Sequence, residues 1–134
     1  MSIPLPVLKD ARALAEHMGA VVNGHHWFED QAGRELDVED VIHDPDTRDK
    51  VCRVCITGAV LLASLNQGDP VRWGSIPHHA GEAAVRVLQG LPRTRVADAS
   101  RCLTDKVTEL GTSYVVAVLG EMVDQARITE EHGS

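Results

Sequence analysis

The spacing of apolar residues predicts a chain made mainly of α-helices. From Leu5 to Met18, apolar positions recur every three to four residues with charged residues between them, which is typical of an amphipathic helix. We expect this helix to end at Gly19. Asp44-Pro45-Asp46 carries the signals of a helix start, and the nearly continuous apolar stretch that follows predicts a long second helix to about Leu65, buried on most sides.

The second half of the chain predicts three more helices. Apolar stripes outline residues 80–91, residues 99–110 and a last helix from Thr112 to Ala126, with Gly111 placed to stop the fourth helix in a left-handed conformation. Residues 129–134 are polar, and we expect a frayed tail there. The predicted fold class is mainly α, a compact bundle of about five helices around a central buried helix.

The stretch between the first two helices contains turn signals. Asn23-Gly24 marks a turn, since both residue types tolerate positive φ. Two short arms then surround Gly33, which leaves two interpretations of residues 26–36, a short β-hairpin or an ordered loop. The 134 residues suit a single domain, 1–134, because two domains of this total length would each bury too little surface.

Composition narrows the classes of function. A hydrophobic fraction of 43% with 25% charged residues is that of a globular protein. The net charge of −7 opposes binding to phosphate backbones, so we expect no nucleic-acid partner. No apolar run approaches the ~20 residues that span a bilayer, and no secretion signal is recognised, so no membrane partner is expected. Three cysteines form no disulfide framework, which favours the cytoplasm.

Cys52 and Cys55 have the C-x-x-C spacing of zinc sites and dithiol oxidoreductases. The predicted second helix contains both residues well inside it, and no second pair of ligands lies at a recognised zinc spacing. We therefore interpret both thiols as small buried hydrophobes that react slowly, and we expect no metal site and no cofactor. Gly58, in the same predicted helix, indicates a close crossing by another helix.

Two histidine pairs, His25-His26 and His78-His79, lie in predicted loops. Imidazole titrates near neutrality, so such residues can act as metal ligands, general bases or pH sensors, or they can be solvated or capping groups. No local motif identifies a nucleophile, and we predict no catalytic residues. The alternative is a small metal-dependent or histidine-using hydrolase that combines these histidines with Glu29, Asp30 or Asp105.

The aromatic residues suggest a binding surface. The chain has only four aromatics, and three of them lie in predicted loops. Aromatics beside polar residues suit interface anchors, so the leading hypothesis is a non-enzymatic module that binds a protein partner or another copy of itself. A self-associating structural helical bundle is a further alternative. The predicted binding residues are His25, His26, Trp27, Phe28 and Trp73.

Several short motifs together resemble a family of uncharacterised proteins from actinobacteria and their phages. The motifs are Trp27, Asp30 with Gly33-Arg34, Cys55-Ile56-Thr57-Gly58-Ala59, Thr104-Asp105, and a last helix from Thr112 to Ala126. The chain departs from the family pattern where Leu103-Thr104-Asp105 replaces a W-N-D triplet, and residues 68–92 have no counterpart. The resemblance implies a helical fold and an actinobacterial or phage setting, and it implies no activity. The leading hypothesis thereby includes an accessory protein encoded by a phage or prophage.

Overall fold

The computed structural model describes residues 3–23, 25–68, 76–87 and 106–132. The fold is mainly α, as predicted, with helices packed on one another and a small two-stranded antiparallel sheet. The helices are α1 (Leu5–Met18), α2 (Val38–His43), α3 (Pro45–Asp49), α4 (Ile56–Asn66), α5 (Ile76–Val87) and α6 (Thr112–His132), and the strands are β1 (Phe28–Glu29) and β2 (Arg53–Val54). Residues 106–110 are also helical.

Some predictions lie outside the described residues. These include Trp73 and Asp105, together with most of the predicted helix over residues 99–110. The backbone of His78 and His79 belongs to α5 and not to a loop, and their side chains are not described.

The bundle is organised around α4, which confirms the predicted central helix. Every residue from Ile56 to Ser64 is buried, because α1 packs along one side of this helix and α5 and α6 contact it elsewhere. The most extensive packing joins α1 to α6 and to α4. Such all-round burial matches the apolar character of α4, which leaves no polar face to solvent along most of its length.

Helix α1 follows the prediction residue by residue. It runs from Leu5 to Met18 with a proline in its first turn, and it buries one apolar stripe. Gly19 ends the helix with φ 89°, a conformation that favours glycine, and its N–H donates to the Ala15 carbonyl at 2.9 Å.

The long second helix predicted from Asp44 to Leu65 is wrong. The segment starts as predicted, with the Asp44 carboxylate accepting the Asp46 N–H at 3.0 Å and Pro45 in the first turn, but α3 ends at Asp49. The chain then extends through β2 before α4 begins. The Val54 N–H donates to the Gly19 carbonyl at 3.1 Å, so pairing with distant backbone replaces the local helical bonds that the apolar pattern suggested.

The sheet contains the predicted hairpin and a strand that the sequence did not indicate. Glu29 pairs with Glu35 in an antiparallel bridge, and the Leu36 N–H donates to the Phe28 carbonyl at 3.0 Å, which confirms a short hairpin. On its other edge β1 pairs antiparallel with β2, with Phe28 opposite Val54 and Glu29 opposite Arg53. The hairpin is thereby fixed against the segment that leads into α4.

A short helix that was not predicted, α2, starts where the Asp37 carboxylate accepts the Glu39 N–H at 2.8 Å. Gly111 has φ 73°, as expected for the stop before α6, and α6 continues to His132, beyond Ala126 where the apolar stripe ends. Among the residues described, none of the helices combines the length and the apolar character needed to cross a membrane.

Candidate binding surface

The centre of the candidate site is the carboxylate of Glu29, a residue with 0% of its surface exposed. Oxygen Oε1 accepts the Val22 N–H at 2.7 Å, and Oε2 accepts the Asn23 N–H at 3.1 Å. Oε2 also lies 2.7 Å from the ring nitrogen Nδ1 of His26. Each of these three groups can donate a hydrogen bond, which suits the oxygens of an ionised carboxylate, since they only accept.

The position of Glu29 in β1 explains why an acidic residue becomes buried. Successive strand residues point to opposite faces, and the preceding Phe28 is itself fully buried in the core. The second face is covered by the segment from Val22 to His26, whose backbone donates to the carboxylate. Glu29 is therefore the attachment point between the hairpin and this segment.

We refer to residues Val22–Trp27, of which all but Gly24 are described, as the anchored loop. Its turn is closed by the His26 N–H, which donates to the Asn23 carbonyl at 2.9 Å, and by the His25 N–H, which donates to Asn23 Oδ1 at 3.0 Å. Just before the loop, the Ala20 N–H donates to Oγ1 of Thr112 at 3.0 Å. The loop is thus tied to the hairpin, and its base is tied to the start of α6.

His26 bridges two carboxylates. Its Nδ1 faces buried Glu29, and its Nε2 lies 3.1 Å from Oε2 of Glu35, whose side chain is 61% exposed while that of His26 is 21% exposed. A neutral imidazole donates from one ring nitrogen and accepts at the other, so only the imidazolium can donate to both carboxylates at once.

The structure places the predicted binding residues at different depths. His25 is exposed, His26 and Trp27 are partly buried, and Phe28 is completely buried. Phe28 therefore anchors the hairpin to the core and presents no surface to a partner. Sequence reasoning missed Val22, whose side chain is 65% exposed on the anchored loop.

Gly58 lies beneath the anchored loop, and the predicted crossing by another helix is wrong. The neighbour is the backbone of the loop, because a Cβ atom on Gly58 would overlap the Trp27 carbonyl oxygen. The same oxygen accepts the Cys55 N–H at 3.1 Å. The absence of a side chain at Gly58 thus allows the first turn of α4 to lie directly against the end of the loop.

The prediction that both Cys52 and Cys55 are buried inside a helix is also wrong. Cys52 is exposed and precedes β2, whereas Cys55 is buried and caps α4, with its Sγ accepting the Gly58 N–H at 3.2 Å. Burial raises the pKa of the Cys55 thiol to about 11. Extended residues three positions apart are separated by about 10 Å, beyond the Cα separation of about 7 Å that a disulfide can bridge.

Within the part of the chain that the structure describes, two open grooves lie away from the anchored loop. One, of about 530 Å³, is bordered by the hairpin turn at Asp30 and Arg34 and by Lys50 and Cys52. The other, of about 260 Å³, lies between α1 and α6 and carries Lys9, Arg12, Glu16 and Arg127. Within the described residues, no group of three or more His, Cys, Asp or Glu side chains is arranged to hold a metal ion.

No protein-family model, curated protein or solved structure matches this chain. The resemblance to actinobacterial and phage proteins stays a prediction.

Proposed function

We propose that this protein is a non-enzymatic binding module and that the anchored loop is the surface through which it meets a protein partner or a second copy of itself. The observation that carries the proposal is the attachment of Val22, Asn23 and His26 to the buried carboxylate of Glu29.

Burial of a carboxylate adds little net stability to a fold, because the charge loses its hydration. Removing a charged group from water costs several kcal/mol before its hydrogen bonds offset that cost, and an apolar residue of similar volume would be at least as stabilising. What Glu29 supplies is a defined conformation of the loop that packs over it. A loop fixed before binding loses less conformational entropy when a partner arrives, which favours affinity.

The side chains on the anchored loop suit a protein contact. Val22 has the largest exposed fraction among the large hydrophobic residues described, and exposed His25 and half-buried Trp27 lie on the same short loop. An apolar side chain with a partly buried aromatic and polar neighbours is the usual composition of an interface centre and its rim. Trp27 is positioned by its own carbonyl, which accepts the Cys55 N–H.

A second candidate function is a histidine-using hydrolase, and one observation favours it. The buried Glu29 carboxylate orients the His26 ring through Nδ1, as the acidic residue of a catalytic triad does for its histidine. However, Nε2, the nitrogen that would act as the base, faces Glu35, and His26 borders neither of the grooves described above. The binding proposal therefore accounts for more of the geometry.

Photo-crosslinking from the anchored loop tests the proposal. A benzophenone amino acid replaces Val22 in one variant and Ile128 in a matched control, since Ile128 is also an exposed aliphatic residue, at 48%. Ile128 lies 16 residues beyond Thr112 along α6, about 24 Å from the helix start that contacts the base of the loop. The two probes therefore sample separate parts of the surface.

We expect the probe at position 22 to form discrete covalent products in lysate of the source organism, or a crosslinked dimer in purified protein. The probe at position 128 should not form them. Addition of unlabelled wild-type protein should compete the products away, whereas the V22D variant should compete poorly and I128D should compete as well as wild type. The same products from both positions, or equal competition by both variants, would exclude the loop as the binding surface.

A further inference from the structure

We propose that the anchored loop is proton-controlled, with the His26 ring as a latch that holds Glu35 against the loop when it is protonated and releases Glu35 when it is neutral. This inference rests on the proposed function for its biological meaning, because it concerns the surface that a partner would contact. The latch itself depends only on the geometry around one imidazole.

The two contacts of His26 are unequal. The Glu29 carboxylate is fully buried and is held by the N–H groups of Val22 and Asn23, so it cannot move away without breaking those bonds. Glu35 is 61% exposed, and its side chain can rotate into water. When the ring loses one proton, the remaining N–H stays at Nδ1 on Glu29, and Nε2 becomes an acceptor facing a second acceptor at Glu35.

The contact that breaks is therefore the one at the surface. An acceptor at Nε2 and a carboxylate oxygen at 3.1 Å repel each other, and water can solvate Glu35 at little cost. A neutral His26 is then fixed as the Nδ1–H tautomer. In this respect His26 should differ from an exposed histidine, whose neutral ring exchanges between the two tautomers.

The surrounding charges support a local switch. Among the residues that the structure describes, the charged groups that contact His26 are Glu29 on β1 and Glu35 across the hairpin bridge, with His25 adjacent on the loop. Arg53 lies opposite Glu29 in the β1–β2 register, but its guanidinium nitrogen Nη1 donates to the Asp30 carbonyl at 3.3 Å. Burial raises the pKa of the Cys55 thiol, at the start of α4, and the negative charge of Glu29 raises this pKa further.

Loss of the His26 proton changes both the charge and the mobility of the surface that a partner would contact. The cluster of His26, Glu29 and Glu35 becomes more negative by one unit, and a carboxylate that was held against the loop becomes free to move. A protein partner that contacts the anchored loop should therefore bind with different affinity to the protonated and the neutral form of His26.

The test is an NMR titration of protein labelled with ¹⁵N in its histidine rings and ¹³C in its glutamate carboxyl groups, between about pH 5.5 and about pH 8.5, above the ordinary range of glutamate. His43 is an internal control, because its Nε2 lies 3.3 Å from Oε2 of Glu39 but both side chains are largely exposed, at 75% and 65%. The H26Q variant keeps a donor for Glu29 and removes the ionisation.

We expect neutral His26 to show a protonated Nδ1 and an unprotonated Nε2, while His43 shows a mixture of tautomers. The carboxyl signal of Glu35 should shift together with the His26 ring in wild type and stay constant over the same range in H26Q. A His26 ring protonated at Nε2 when neutral, or a Glu35 signal that behaves alike in wild type and H26Q, would overturn the latch. These readouts need no partner, so they fail separately from the crosslinking experiment with Val22.

Discussion

The carbonyl oxygen of Trp27 occupies the space beside the Cα atom of Gly58 into which a side chain would project. Because this oxygen also accepts the Cys55 N–H, it is fixed between the end of the anchored loop and the start of α4. Gly58 thus determines how closely the loop approaches the central helix. Any side chain at this position must displace backbone and not merely a flexible neighbour.

Replacement of Gly58 by alanine should destabilise the protein by about 1–3 kcal/mol or more, because overpacking against a backbone atom outweighs the gain in helix propensity. G120A is the matched control. A Cβ atom on Gly120, in α6, would meet the Arg12 guanidinium carbon at 3.7 Å, an ordinary van der Waals distance. This variant should be stabilised by up to about 1 kcal/mol.

Urea unfolding of both variants measures these differences. The two alanine substitutions should shift the unfolding midpoint in opposite directions. An equal midpoint for G58A and wild type would mean that the loop does not contact α4 at Gly58.

The two cysteines of the C-x-x-C segment should differ sharply in reactivity. In a C102S background, exposed Cys52 should react rapidly with a thiol reagent near pH 8, whereas Cys55 should react only after unfolding. Both the burial of Cys55 and its pKa of about 11 reduce the thiolate available for attack. The fast phase should disappear in C52S.

A disulfide between Cys52 and Cys55 should not form without unfolding, and elemental analysis should find no stoichiometric zinc. Rapid reaction of both thiols in the folded protein would contradict the placement of Cys55 as the buried cap of α4. One zinc per chain that is lost in C52S would contradict the separation of the two thiols.

The Asp30 carboxylate should stabilise the folded protein, and this contribution should be lost in acid. The Arg34 N–H, with further contributions from the Arg34 side chain and the Ala32 N–H, lowers the pKa of this carboxyl below its usual value despite the opposing effect of desolvation. A lowered folded-state pKa stabilises the protein above the unfolded-state value of about 3.9, and this stability is lost as the pH falls through the folded-state value.

D30N keeps the acceptor oxygen that closes the turn and removes the charge. Its urea midpoint should lie below that of wild type at about pH 5, and the difference should shrink as the pH falls below about 3.9. A difference that is independent of pH would show that the turn, and not the charge, accounts for the effect.

The elements that depend on local sequence could be predicted. Helix α1 with Gly19, the start signal at Asp44-Pro45 and the stop at Gly111 all follow from short-range periodicity and capping, and the structure confirms them. The error over residues 50–55 arose because an apolar run does not distinguish a buried helix from a buried strand. Val54 becomes part of a strand only because Gly19 and Val21 offer backbone hydrogen-bond partners distant in sequence, and Phe28 lies opposite it in the β1–β2 register.

The candidate site shows the same contrast between features set by local sequence, which could be predicted, and features set by distant contacts, which could not. The turn at Asn23 could be predicted from its residue type, and the aromatic pair directed attention to the correct segment. No pattern marks Glu29 as buried, because its burial depends on the loop that folds over it. The burial of Phe28 and the exposure of Val22 also depend on that fold. The residue types at adjacent positions in a strand or turn do not indicate which face will be covered.

The most direct test of the central claim is hydrogen exchange at the Val22 and Asn23 amides in wild type and E29Q. The two amides donate to different oxygens of the Glu29 carboxylate. Glutamine keeps one acceptor oxygen and places an NH2 group at the other position, so at least one of these bonds is lost, and loss of a hydrogen bond to a charged acceptor should cost about 1.5–3 kcal/mol. We predict strong protection of both amides in wild type and a large loss for at least one of them in E29Q, while amides of α6 such as Val118 and Leu119 keep most of theirs. Val22 and Asn23 amides that exchange freely in wild type, or that are equally protected in E29Q, would contradict the account.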